Sequence, residues 1–169
     1  MLRPIVSSGM HAVRSLALTL GFLVACASQA RADATLFIGS ATTPGARMAR
    51  GFAFGGGLVV LGFEFEYSDT REDLADGAPS LRTGMGNILL QTPLAIAGFQ
   101  PYFTSGAGGY RETLDDVSET HIGANIGGGV KMRIAGPLRA RFDYRVFRLR
   151  GEPLYPTVHR FYAGVNLGF

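Results

Sequence analysis

The chain has 169 residues, 47% of them hydrophobic, with 24 glycines, one cysteine and no tryptophan, which suits one folded domain and excludes a disordered chain or a multidomain enzyme. Its 16 Lys and Arg against 13 Asp and Glu give a formal charge of +3. Arg3, Arg14 and Arg31 all precede Asp33 and no acid does, so from Asp33 onward the signs balance and the excess gives no reason to expect a nucleic-acid partner.

The first 32 residues read as an export signal. Residues 1–15 carry Arg3 and Arg14 without an acid, residues 16–25 are apolar, and Ala30-Arg31-Ala32 is an A-x-A site, so cleavage after Ala32 is expected. The apolar run is about ten residues, half of what a membrane-spanning helix needs. Leu23-Val24-Ala25-Cys26 also resembles a lipoprotein processing box, which would leave a lipidated Cys26 as the N-terminus. With cleavage after Ala32 the domain at 33–169 has no cysteine, so burial, a closed sheet or a membrane must hold it together instead of disulfides.

After Asp33 the hydrophobic period is two, in segments bounded by Gly, Pro, Asp and Ser. Strands are expected at 35–40, 50–57, 61–68, 81–91, 101–111, 121–134, 138–148 and 159–169. Leu61, Phe63, Phe65 and Tyr67 oppose Gly62, Glu64, Glu66 and Ser68, and Ile122, Ile126 and Val130 oppose glycines, Lys131 and Arg133. Leu138, Ala140, Phe142, Tyr144 and Val146 oppose Arg139, Arg141, Asp143 and Arg145, and in the last strand Phe161, Ala163, Val165, Leu167 and Phe169 oppose Arg160, Tyr162 and Asn166. Glycines dilute the other four segments, and at 81–91 the apolar Ile88 and Leu90 fall in phase with Arg82.

The connections at 41–48, 69–80, 112–120 and 149–157 are long and polar. Between them lie tight turns at Gly55-Gly56-Gly57 and Ala135-Gly136-Pro137, and an intermediate apolar link at 92–100. Long loops alternating with short turns give an all-β fold, an antiparallel up-and-down membrane β-barrel of eight strands with both termini on one side.

Alternation alone does not say which face points out. A soluble periplasmic or secreted lipocalin-like barrel would turn its apolar face inward around an apolar ligand and put Arg141 in solvent. A membrane barrel would turn that face to lipid and put Arg141 in the lumen. An Arg facing lipid near the midplane costs about 2–4 kcal/mol, and a polar face that mixes glycine with Arg and Glu suits a narrow lumen, so the membrane barrel is favoured. Phe63, Phe65, Tyr67, Phe142, Tyr144, Phe161 and Phe169 then supply aromatic girdles, and His159 an interfacial residue.

The last ten residues, RFYAGVNLGF, alternate apolar positions at Phe161, Val165 and Leu167 and end in Phe169, with Gly164 five positions before it. This resembles the terminal signal of bacterial outer-membrane β-barrels. Pro101-Tyr102 followed by Gly106–Gly109 resembles a Pro-Tyr-glycine strand of the small eight-stranded group, the OmpA-barrel and OmpX type. The resemblance covers the mature chain in length, alternation and loop rhythm. It implies a Gram-negative outer-membrane location, recognition of the last strand by the barrel-assembly machinery, contact with outer-membrane lipid and lipopolysaccharide, and no catalytic residue. A monomer is expected.

No metal-binding helix motif, Walker loop, Cys-x-x-Cys pair or G-x-S-x-G elbow is present, so no enzyme, cofactor or metal is expected. His121, near Ser118 and Glu119, has no Ser two residues away on its own strand face to serve as a nucleophile. Acidic residues gather in two loops, Asp69, Glu72, Asp73 and Asp76 in one and Glu112, Asp115, Asp116 and Glu119 in the other. They read as solvated tips, and Asp69-Thr-Arg-Glu-Asp departs from a Ca²⁺ loop. Glu64, Glu66, Arg82, Lys131, Arg133, Arg139, Arg141, Asp143, Arg145 and Arg160 are expected to fill the lumen as a charge network. Asp143 should lie beside Arg160 on the adjoining strand. Side chains fill an eight-stranded interior, so a plugged barrel with a structural or surface-interaction role is expected, not a general porin.

Overall fold

The computed structural model describes residues 31–115 and 117–169. The signal-peptide features up to Ala30, with Cys26, and the loop residue Asp116 lie outside the described residues. The described part is all-β. Its strands are β1 (Arg31–Ala41), β2 (Arg47–Leu58), β3 (Leu61–Thr70), β4 (Ser80–Gln91), β5 (Phe99–Leu114), β6 (Val117–Ala135), β7 (Leu138–Leu149) and β8 (Thr157–Gly168). Each pairs antiparallel with its neighbours in chain order, and β1 pairs with β8 from Asp33↔Gly168 to Ala41↔Arg160, which closes the barrel. Closure leaves no unpaired sheet edge. The seam is finished by reciprocal backbone bonds between Ala32 and Phe169, both 2.9 Å. On the β1 side both bonds belong to Ala32, which a cleavage after Ala32 would remove.

All eight predicted strands are present, but the connections differ from expectation in two places. Gly55-Gly56-Gly57 is not a turn: β2 runs on to Leu58, and Val59 and Val60 make the turn into β3. The glycines serve close packing instead, because a Cβ on Gly57 would stand 2.9 Å from the Leu61 carbonyl oxygen and 3.0 Å from the Gly62 Cα. The long loop expected at 112–120 is a hairpin, with β5 and β6 paired as far as Leu114↔Val117. A strand pair that projects beyond lipid meets water on both faces, so its sequence carries no apolar alternation.

The polarity of the barrel is inverted relative to a soluble one. Phe54, Phe63, Phe65, Ile88, Phe103, Ile126, Phe142, Phe161 and Val165 face outward and are exposed, while Glu64, Glu66, Arg141, Asp143, Arg145 and Arg160 are buried inside. Arg141 is 0% exposed, which removes the lipocalin-like alternative: the interior holds charges where an apolar ligand would have to sit. An apolar exterior of this extent is stable only against lipid. Outside aromatics touch one another across strands, with ring centroids 5.3 Å apart for Phe54 and Phe65 and 4.5 Å for Tyr144 and Phe161. His159 joins the second group through a 2.7 Å hydrogen bond with the Tyr144 hydroxyl.

Candidate functional site

The lumen holds most of the charge network that the sequence singled out. Inward positions on a strand recur every second residue, so Glu64 and Glu66 on β3 present two carboxylates from one wall, and Arg141, Asp143 and Arg145 on β7 present their charges from another. In a closed eight-stranded barrel β3 and β7 lie on opposite sides. The ion pairs therefore cross the full width of the lumen.

Arg141 binds Glu64 through both terminal nitrogens, Nη1 to Oε2 and Nη2 to Oε1, the latter at 3.2 Å. Its Nε donates to Asp143 Oδ2 at 2.7 Å and to the Tyr102 hydroxyl at 2.7 Å, and that hydroxyl in turn donates to Asp143. Arg145 reaches Glu64 at 2.8 Å and Glu66 at 3.1 Å. Arg160 reaches Glu66 at 3.4 Å, and the Tyr162 hydroxyl donates to Glu66 at 2.8 Å. Three guanidinium groups thus face three carboxylates, so the network is balanced in charge. Aromatic faces cover what the carboxylates leave: Arg141 lies 5.0 Å from the Tyr102 ring centre and Arg160 4.2 Å from that of Phe147.

The network has a lid of a different kind. Toward the loop ends of the strands, Ala41, Leu81, Met85, Tyr110, Phe147, Leu149 and Val158 form a buried apolar cluster inside the barrel. Sequence periodicity missed this layer because Phe147 and Leu149 continue the inward phase of Arg141, Asp143 and Arg145 with the opposite polarity. At the other mouth Lys131 pairs with Asp33, a partner the sequence did not indicate.

Several expected lumen residues lie elsewhere. Arg82 faces outward with its side chain 61% exposed, bonded to Asp69 at 3.2 Å, because it shares the phase of Ile88 and Leu90 and not that of Leu81 and Thr83. Arg133 is exposed and Arg139 half-buried, and both line a cavity of about 120 Å³ at the turn-side mouth with Gln100 and Lys131. Arg160 does not meet Asp143: the register sets Asp143 opposite Tyr162 and Arg145 opposite Arg160. The residues of the C-terminal pattern, Phe161, Val165, Leu167 and Phe169, are exposed on the outer face, and Gly164 sits on the inward phase, half-buried.

The acidic groups are only partly the solvated tips expected. Asp69 lies on the outer wall between Arg50 and Arg82. Glu72 accepts a 2.7 Å bond from the Asp115 amide, tying two loop-side elements together. Glu112 is buried at the loop end of β5, opposite Leu81, and accepts a bond from the Leu154 amide. Arg47, also buried, gathers the loop side by donating to the carbonyls of Thr43, Arg71 and Pro79. Among the described residues no group of three His, Cys, Asp or Glu side chains is placed to hold a metal ion.

No known protein family and no curated protein matches the sequence. Solved structures do match in shape. The N-terminal β-barrel domain of Pseudomonas aeruginosa OprF superposes with a TM-score of 0.63 at 16% identity, covering 82% of this chain and 97% of that one. Neisserial surface protein A gives a TM-score of 0.63 at 17% identity, with 83% and 96% covered. Ail, the attachment invasion locus protein of Yersinia pestis, in complex with the heparin analogue sucrose octasulfate, gives 0.52 at 13% identity, with 83% and 98% covered. At these identities the likeness concerns fold alone, and together with the inverted polarity and eight-strand closure it identifies the architecture as that of the small outer-membrane β-barrels.

Proposed function

We propose that the protein is a small integral barrel of the Gram-negative outer membrane, delivered by a signal peptide, with a structural or surface-interaction role and without catalytic activity. The observation that carries this reading is the double closure of the lumen: a charge-balanced network spanning it from β3 to β7, and an apolar layer above. Such an interior leaves no aqueous path for general diffusion. What remains available for contact is the loop side and the outer wall. The likeness to a neisserial surface protein and to an attachment protein supports a role at the cell surface. Assembly through the last strand and a monomeric state belong to the same reading.

The test is conductance of the purified barrel in planar bilayers. Events below the nanosiemens range, or none, are expected, and stable nanosiemens openings would overturn the plugged-lumen role.

A further inference from the structure

A row of charge crosses the outer wall near the loop-side ends of four adjacent strands. Arg50 on β2 pairs in register with Asp69 on β3, Asp69 with Arg82 on β4, and Arg82 with Arg111 on β5. All four face outward. Arg50 and Arg82 are 60% and 61% exposed and share the one carboxylate, at 3.7 and 3.2 Å. Arg111 is exposed and makes no ion pair among the described residues. The row carries a net excess of two positive charges, three arginines against one aspartate. In the same register on β1 and β8 stand Ile38 and Ala163, and a separate outward arginine, Arg148 on β7, donates to the Thr157 hydroxyl at 2.7 Å.

The wall beneath the row is hollow where it is basic. The next outward residues below Arg82 and Arg111 are Gly84 and Gly109, paired with each other, and below them come Gly86 and Ala107. A Cβ at Gly84 or Gly109 would meet nothing closer than 3.9 Å, so backbone forms the floor of an open trough. Tyr67 and Phe65 border it on β3 and Ile122 on β6. A further groove on this wall, of about 510 Å³, has Arg50, Asp69 and Arg82 along one side and Leu36, Phe52 and Tyr67 along the other.

We propose that this wall binds an anionic phosphate-bearing lipid of the leaflet on the loop side, its phosphate held by Arg82 and Arg111 with Arg50 beside them, and an acyl chain lying in the trough over Gly84 and Gly109. Guanidinium forks match phosphate oxygens in charge and geometry, and the smooth floor accepts a hydrocarbon chain in van der Waals contact. Asp69 holds Arg50 and Arg82 apart and oriented, and the surplus charge is left for the ligand. The inference rests on the membrane-spanning reading of the barrel.

The test uses the mature barrel folded in mixed micelles, its folding followed by heat-modifiable gel mobility, with lipid binding read by native mass spectrometry. The probes are a bisphosphorylated lipid A and its dephosphorylated form. Preference for the phosphorylated lipid is expected, reduced about tenfold or more by R82Q/R111Q, since bonds to charged groups are worth about that factor each. Filling the trough with G84L/G109L should weaken both probes while heat-modifiability persists. Equal binding of the two probes by a folded barrel, or no loss in R82Q/R111Q, would overturn the proposal and leave the spanning barrel standing. A soluble sulfated oligosaccharide that competes fully with the lipid would overturn it in favour of a glycan, and a dimer that forms in the absence of lipid and is abolished by G84L/G109L in favour of a second copy. Absence of a heat-modifiable form in every lipid would overturn both readings.

Discussion

Arg141 shows how much a single side chain can carry in this interior. It is 0% exposed and engages Glu64, Asp143, Tyr102 and Thr35, residues contributed by four other positions around and along the lumen. Removing it leaves two carboxylates short of a partner in a site without bulk water, and deletion of one member of a buried pair costs about 3–5 kcal/mol. R141M should therefore lower the unfolding free energy of the barrel in micelles, read from guanidinium titration, by an amount of that order. E64Q/R141M, which removes a carboxylate as well, should recover a large part of the loss. Equal midpoints for the single and double variants would show that Glu64 is not left uncompensated when Arg141 is lost. The inward placement of Arg141 was legible from its alternation with Phe142 and Ala140, whereas its partners were not. Alternation fixes a face, but only the register fixes a neighbour, and a register depends on turn lengths that the sequence leaves open. The Asp143–Arg160 pairing failed for this reason: the strands do adjoin, with Arg145 opposite Arg160.

At the scale of elements, strand existence was legible wherever one face meets lipid and the other the lumen. It was lost where that difference ends, as in the projecting tip of β5 and β6 between Glu112 and Thr120. Glycine misled for a related reason, since it marks turns and crowded strand positions alike. Gly136 is the turn kind, with φ of 52° between β6 and β7. Gly129 is the other kind: a Cβ there would lie 2.8 Å from the Tyr102 ring carbon Cζ and would also meet the Phe142 carbonyl. G129A should displace Tyr102 from Asp143 and lower stability by about 1–3 kcal/mol, as overpacked sites do, with a matching change in near-ultraviolet circular dichroism. β8 offers a separate test. Phe169 is 73% exposed, so its side chain adds little to packing. Deleting it should sharply reduce assembled barrel in cells and leave refolding of purified chain in detergent nearly intact; unchanged assembly in cells would refute the terminal signal.

For the whole molecule, the inverted polarity makes location a physical requirement: outside lipid this surface would aggregate. A tagged full-length chain should fractionate with the outer membrane, resist carbonate washing and migrate faster unheated than boiled. A soluble periplasmic pool would contradict this. Charge at this scale is sorted by place and not by sum. The +3 of the whole sequence comes from residues before Asp33, and the balanced remainder includes a neutral lumen network, a basic turn-side mouth, a basic outer row and an acidic excess on the loop side.

The crossing of the lumen from β3 to β7 also bears on how the barrel can form. In an open sheet these strands are the third and seventh of a curved ribbon, far apart, and Glu64 and Arg141 can meet only when β1 reaches β8. Until then Arg141 and Arg145 have only Asp143 of their own strand, and Glu64 and Glu66 lack their arginines. Partly closed sheets are therefore raised in energy relative to both the unassembled chain and the finished cylinder. The network acts as a latch that engages only at completion, which makes closure an all-or-none event and disfavours barrels with a strand missing.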